Sequence, residues 1–265
     1  MIDVPVRDYV TRAVWDAGRS LDGRTVRLTG FAAPRGENGE WDLARLALSC
    51  CAADALASKV RPVGDVPADD TFAELVKMQG EGKIRWIGVS NYHLADLEAA
   101  HAAGPFVSLQ VGYHAMRRQL EDAELPWCRA NGVGVLAYGP LAHGLLTGRM
   151  DEQTTFPAND WRAQSEFFAD DHFADRIAVM RHLQRIADES GRPGGVAELA
   201  VAWVLRRPEV TSAIVGAHDA AQARGAAALA GAPLCPEEEA AIDAVLSEYP
   251  AASREYGHGE PPPRT

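Results

Sequence analysis

The chain has 265 residues, 47% hydrophobic and 24% charged, with a formal net charge of −11. That length can bury the core of one large domain or two small ones. So large an excess of acid is repelled by a phosphate backbone or an anionic membrane surface, so no nucleic-acid partner is expected, although one local basic pocket for a nucleotide is still allowed.

No apolar run approaches the roughly 20 residues that span a bilayer. The start, Met1-Ile2-Asp3-Val4-Pro5-Val6-Arg7-Asp8, is mixed and charged, so neither membrane insertion nor a secretory leader is expected. The four cysteines, Cys50, Cys51, Cys128 and Cys235, do not have the spacing of a secreted disulfide framework, and a cytoplasmic location fits.

In chain order, Val6 to Asp16 reads as a short helix. Arg24 to Phe31 alternates polar and apolar residues, the period of a half-buried strand. Pro34 to Gly39 is a turn cluster, Trp41 to Cys51 alternates again, and Ala57 to Val63 reads as a third strand. Residues 1–65 are therefore expected to form a β-rich fragment the size of a small, OB-like barrel or part of one. The polar connection Val63 to Asp70, with Gly64 and Pro67, marks a boundary.

Beyond it the rhythm changes. Helices are expected at Thr71–Glu81, Leu94–Ala103, Leu120–Ala130, Phe173–Ser190, Val196–Arg206, Ala220–Ala230 and Pro236–Glu248. Strands are expected at Ile84–Val89, Val107–Tyr113, Val133–Tyr138 and Ser212–Val215. Pro236 followed by three glutamates suits a helix N-terminus. Such alternation implies an α/β fold with a parallel sheet covered by helices, and four βα units amount to half of an eight-stranded barrel. Residues 66–250 form this unit, and residues 251–265 are expected to be a disordered tail.

The strongest motif is Gly80-Glu81-Gly82-Lys83-Ile84-Arg85-Trp86-Ile87-Gly88-Val89-Ser90-Asn91-Tyr92, in which a helix ends in glycines and a strand follows. Read physically, a strand ends in Ser-Asn where the next helix starts. In a parallel barrel that edge is the active-site face, and Ser and Asn there can bind a planar amide or simply cap the helix. Val107-Ser108-Leu109-Gln110-Val111, Gly134-Val135-Leu136-Ala137-Tyr138-Gly139-Pro140-Leu141-Ala142-His143-Gly144, Val196 to Leu205, and Ile214-Val215-Gly216-Ala217 follow in order. Together, over about Thr71 to Tyr249, these segments resemble the C-terminal half of the aldo-keto reductase superfamily. The resemblance implies a partial (βα) barrel of TIM-barrel type, strands 5–8 with their helices, preceded by the small β-rich segment.

It also implies NAD(P)H-dependent hydride transfer between carbonyls and alcohols, with NADP(H) or NAD(H) as cofactor and a small carbonyl as substrate. By the same resemblance, Ser90, Asn91 and Gln110 would hold the nicotinamide carboxamide and Tyr138 would stack on its ring. Gly139, Leu141 and Gly144 would wrap the pyrophosphate with backbone N–H groups. Gly216 and Ala217 would lie by the adenosine phosphate and Gln222 by the adenine. The chain departs from the family pattern at Gly139, His143, His218 and Ala226. His218, Gln222 and Arg224 remain as contacts, Arg224 at most as a phosphate partner and otherwise a solvated helix residue, so the expected 2′-phosphate clamp is weak.

The family's Asp, Tyr, Lys and His tetrad lies on its first four strands, and no segment before Thr71 matches it. Impaired catalysis is therefore expected, with a non-catalytic dinucleotide-binding or interaction module as the alternative. Tyr92, His93, Tyr113 and His114 are read as substrate-pocket residues. Residues 21–55 faintly resemble a bacterial permease-associated β-rich domain, which leaves a permease-partner or metal-related protein as a third reading. No metal ligand set is assigned, because adjacent Cys50 and Cys51 with Asp54 make a poor tetrahedral group. The whole reads as a junction of two fragments, a chimera in sequence terms. Its half barrel would leave open sheet edges on which two copies could assemble.

Overall fold

A computed structural model describes residues 2–5, 26–29, 31–35, 40–47, 56–60, 68–158, 160–169, 172–217 and 219–253. The expected helix Val6–Asp16, the Cys50–Cys51 pair, His218 and the tail from residue 254 lie outside these residues; Pro250–Ser253 forms a 3₁₀ turn with Ala252 buried, which corrects the disordered start expected at residue 251. The chain divides into two compact units, Met1–Ser90 with Glu98–Pro105, and Asn91–Leu97 with Phe106–Thr265.

In the first unit, β1 (Ile2–Pro5) and β2 (Val26–Thr29) pair in parallel, with Ile2 opposite Val26. Strands β3 (Phe31–Arg35), β4 (Glu40–Ala47) and β5 (Leu56–Val60) form an antiparallel meander with β4 central. Pro34 sits in β3, an outer strand of this meander, the kind of position to which proline is confined within a sheet. Helix α1 (Ala68–Gly80) starts three residues before the expected Thr71. It ends where Gly82 takes φ 71 and the N–H groups of Gly82 and Lys83 return to the carbonyls of Gln79 and Met78, a Schellman closure. Strand β6 is only Gly88–Ser90, shorter and later than the expected Ile84–Val89, and Trp86 before it is 71% exposed. Helix α2 (Leu94–Ala103) runs from the second unit into the first.

The second unit is a parallel sheet under helices. Strands β7 (Ser108–Gly112), β8 (Gly134–Tyr138) and β9 (Val210–Ile214) pair in order, with Gly112 opposite Tyr138 and Tyr138 opposite Ile214. Leu109, Val111, Val135 and Ala137 are buried, while Gln110, Leu136 and Tyr138 on the other face are half-buried. This alternation follows from the two-residue period of a strand. It gives the sheet one packed apolar face and one face that presents polar and aromatic groups.

Helices α3 (Glu124–Ala130), α4 (Glu166–Ala169), α5 (Phe173–Glu189), α6 (Gly195–Leu205), α7 (Ala220–Ala228) and α8 (Pro236–Glu248) complete the unit. The expected helix over Leu120–Ala130 is instead a single 3₁₀ turn, Gln119–Glu121, followed by α3. Pro126 explains the break: it has no N–H to give to the Asp122 carbonyl, and its ring would clash there. Helix α6, Gly-Val-Ala-Glu-Leu-Ala-Val-Ala-Trp-Val-Leu, is buried almost throughout, as its composition demands. Its one acid, Glu198, shares the buried Arg192 guanidinium with Glu238 of α8 at 3.3 and 2.6 Å, and the Ala232 and Pro233 carbonyls take further Arg192 donors. The charges are thus paired and hydrogen-bonded, the condition under which buried ions are tolerated.

Candidate functional site

The C-terminal ends of parallel strands share one edge, and the predicted residues gather along it. Asn91, the residue after β6, takes the left-handed conformation, φ 58, which asparagine accepts more readily than most residues. Its N–H donates to the Gln110 carbonyl at 2.9 Å, and its Oδ1 accepts from the Tyr138 hydroxyl at 3.1 Å. The Tyr113 N–H donates to the Tyr138 carbonyl at 3.1 Å and locks the ends of β7 and β8 together. Asn91, Gln110 and Tyr138 are therefore brought together as one cluster on the half-buried face. Tyr138's oxygen is engaged by the Asn91 carbonyl oxygen, which leaves the Asn91 amide nitrogen as a donor. Ser90 ends β6, one residue upstream.

Gly112 sets the shape beside this cluster. A Cβ there would meet Arg117 Nη1 at 2.6 Å and Tyr138 Cε2 at 3.1 Å, so a side chain at this position would require the Arg117 guanidinium to shift. Neither Gly112 nor Arg117 was legible as a site residue, since the pair meets through the fold of a turn rather than through a motif.

The turn after β8 is irregular. Gly139 takes φ 66, and Ala142, His143 and Gly144 follow with φ of 47, 58 and 99. The Ala142 N–H bonds the Gly139 carbonyl at 2.9 Å, and the Gly144 and Leu146 N–H groups both bond the Leu141 carbonyl at 3.0 Å. Several N–H groups of this turn are therefore engaged within it. Those of Ala142 and Gly144 are spent in shaping the turn itself. Gly216 and Ala217 follow β9 on the same edge. Gln222 lies in the first turn of α7 with its backbone N–H capped by Asp219 at 2.8 Å and its side chain exposed.

A second group of side chains surrounds the turn. The His143 ring lies edge-on to Trp161 at 4.8 Å, Phe167 at 5.9 Å and His114 at 6.4 Å. Burial first, then the charges of Arg117 and Arg162, push the His143 imidazole down to about 4. His114, 3% exposed, is held well below its ordinary value by burial and then by His143, Arg117 and Arg176. Both imidazoles are neutral at neutral pH. His114 is thus a packed residue rather than an open pocket wall.

Tyr113 departs further from the pocket role. It is fully buried, its ring 5.1 Å from Trp203, and its hydroxyl donates to Glu121 at 2.6 Å while accepting from Arg206 at 2.9 Å. Burial and the Glu121 bond raise the phenol, which makes it a structural strut and no general acid. Tyr92 is also raised, by burial and then Asp96, and His93 contacts Glu124 at 3.4 Å. Among the described residues no group of three His, Cys, Asp or Glu side chains is placed to hold a metal.

Residues 56–247 match the family model described as "Aldo/keto reductase family". The match begins at residue 56, upstream of the start near Thr71 expected from the motifs. Over 181 residues the chain is 31% identical to aldo-keto reductase YhdN of Bacillus subtilis, covering 68% of this chain and 54% of that relative. Over 185 residues it is 29% identical to aldo-keto reductase str7 of Strobilurus tenacellus, covering 69% and 54%. The chain thus spans about half the length of the curated relatives it matches. Among solved structures, a glycerol dehydrogenase from Gluconobacter oxydans is similar with TM-score 0.68 at 24% identity, over 97% of this chain and 83% of that one. That is a likeness of fold. The comparisons lend no support to the permease-associated resemblance at the N-terminus.

Proposed function

This chain belongs to the aldo/keto reductase family, and on that premise we propose that it is an NAD(P)H-dependent oxidoreductase acting on a small carbonyl or alcohol. One observation supports the reading most: Asn91, Gln110 and Tyr138, distant in sequence, meet at the end of the parallel sheet. Asn91 offers an amide donor, Gln110 an amide of both polarities, and Tyr138 a flat ring, the set that a planar carboxamide on an aromatic ring requires. The bound nicotinamide would supply the hydride. The protein's part is to hold the carboxamide against Asn91 and Gln110 and to fix the ring's tilt against Tyr138. Ser90 would add a hydroxyl to the carboxamide. Gly139, Leu141 and Gly144 would lie along the pyrophosphate, and Gly216, Ala217 and Gln222 along the adenosine end. The platform favours neither NADPH nor NADH.

No Tyr, Lys, Asp and His tetrad is assigned, so turnover is proposed to be weak. The second reading, a dinucleotide-binding module without chemistry, is favoured by Tyr113, whose buried and raised phenol cannot serve as acid. Calorimetric titration of the full chain with NADPH and NADH tests both. Saturable binding is expected, and binding by neither would sink the cofactor reading. Turnover of an aldehyde panel then separates reductase from module.

We also propose self-association along β9, which ends its sheet among the described residues. Val210 to Ala217 carries no charge on a chain of −11, and a shallow groove of about 380 Å³ runs beside it, lined by Val201, Leu205, Val215 and Ala226 with Thr211 and Ser212. Unguarded edges pair readily. Sedimentation equilibrium should give a dimer, and a monomer at high concentration would count against it.

A further inference from the structure

We propose that His143 is a positioning residue: its ring, clamped by Trp161 and Phe167, holds the turn after β8 in the left-handed path on which dinucleotide binding depends. The dependence on dinucleotide rests on the function proposed above; the clamp itself does not.

The observations converge on one side chain. Ala142, His143 and Gly144 run left-handed in succession, and two of the three carry a Cβ. Residues with a Cβ are disfavoured there, and such backbone persists only where surrounding contacts over-determine it. The bonds within the turn, Ala142 to Gly139 and Gly144 to Leu141, are short-range and do not by themselves select the left-handed path.

What reaches in from elsewhere is concentrated on His143. Its ring meets three aromatic rings edge-on, at interplanar angles between 75° and 82°. This is the favoured arrangement of aromatic pairs. Two of those rings, Trp161 and Phe167, belong to the connection between β8 and α5. Arg162 beside them donates to the His143 carbonyl at 3.4 Å, while a bidentate pairing with Asp160, at 3.0 and 2.6 Å, holds that guanidinium in place. Met150 closes on Gly144, where a Cβ would meet its Cε at 3.3 Å. The connection therefore grips the turn chiefly at His143, with Met150 and Arg162 also against Gly144.

The test uses the full chain as the parent, His143→Gly and His143→Phe. Glycine accepts φ 58 without strain, so His143→Gly keeps the fold, checked by circular dichroism and thermal midpoint, while removing the clamp. Phenylalanine keeps an aromatic ring at the same place. Amide hydrogen exchange over residues 139–148 is measured on the free protein. Exchange about tenfold faster in His143→Gly and close to parent in His143→Phe is expected. Equal protection in His143→Gly and parent, or loss of protection in both variants, would overturn the clamp. NADPH titration of the same three proteins reads the second half. A dissociation constant raised about tenfold in His143→Gly alone is expected, because a loosened turn must be reordered on binding. Unchanged affinity beside faster exchange would overturn the positioning role. Should the parent bind neither NADPH nor NADH, the cofactor reading fails, and the exchange pattern still decides the clamp.

Discussion

Asn91 combines a left-handed backbone with the hydrogen bond that carries Tyr138. Asn91→Ala forfeits both, and a loss of about 2 kcal/mol is expected from one hydrogen bond and one disfavoured φ. Asn91→Gly keeps the φ and should cost about half as much. Urea unfolding midpoints of the two variants separate the contributions. Equal losses would mean that the backbone conformation is not strained by alanine. The Ser90-Asn91 motif placed Asn91 at a strand end, where the structure also has it. Its conformation was not legible there, because a single φ depends on what the next strand offers, here the Gln110 carbonyl.

Two histidines, half-buried His143 and buried His114, set an acid response. Folded His143 titrates at about 4, below its ordinary 6.5, so the unfolded chain binds the proton first. Its contribution to stability is complete above pH 6.5 and is lost as pH falls toward 4, amounting to about 2 kcal/mol at pH 5. His114 shifts in the same direction. His143→Phe should therefore flatten the stability profile between pH 7 and 5. A profile as steep as the parent's would place the titrating group elsewhere.

At the scale of elements, the Glu121 carboxylate ties the 3₁₀ turn before α3 to the C-terminus of α6. It accepts from the Tyr113 hydroxyl and from Arg118, Arg206 and Arg207 at 2.6 to 2.9 Å. Arg206 also lies 3.7 Å over the Trp203 ring, and Arg118 reaches Asp243 of α8 at 2.7 Å. Glu121→Ala would leave the buried Arg206 with Glu239 as its one carboxylate and the Tyr113 hydroxyl without its acceptor, and a loss of about 3 kcal/mol is expected. Tyr113→Phe leaves Glu121 and Arg206 joined and should cost about 1–2 kcal/mol. Calorimetric unfolding of both variants checks the ranking, and a larger loss in Tyr113→Phe would contradict it.

Helix α8 was legible residue by residue. Pro236 fits the first turn, and Glu238 accepts the Cys235 N–H at 2.9 Å, as a capping box requires. The Leu120–Ala130 helix was misread because its apolar spacing continues through Pro126, and periodicity carries no information about a missing N–H. Tyr113 was misplaced for a related reason. Strand alternation predicts which face a residue takes, while Tyr113 lies just past β7, where the alternation ends.

For the molecule as a whole, acid unfolding should proceed in two stages. The histidine stage spans pH 6.5 to 4. Below it, Glu121 and Glu238, both held down to about 2, give up their stabilisation as pH falls from 4.5 toward 2. For Glu121, bonds from Tyr113, Arg206 and Arg118 outweigh the opposing effect of burial; for Glu238, the Arg192 bond dominates. Thermal midpoints measured every half pH unit should fall in two steps. A single step near pH 4 would mean that the histidines titrate normally.

Family membership, the parallel order of the strands and the residues Asn91, Gln110 and Tyr138 were all written in local pattern: alternating burial along strands, apolar helices, and motifs that recur in order. Those features depend on neighbours within a few residues, and a sequence displays them directly. Three features came only from tertiary structure: the meeting of His114, His143, Trp161 and Phe167, the Arg162 hold on the turn, and the burial of Tyr113 against Trp203. Each joins residues that are far apart along the chain or lie on irregular backbone. No period links them, and only the packing of the chain selects which distant side chain fills the space beside another.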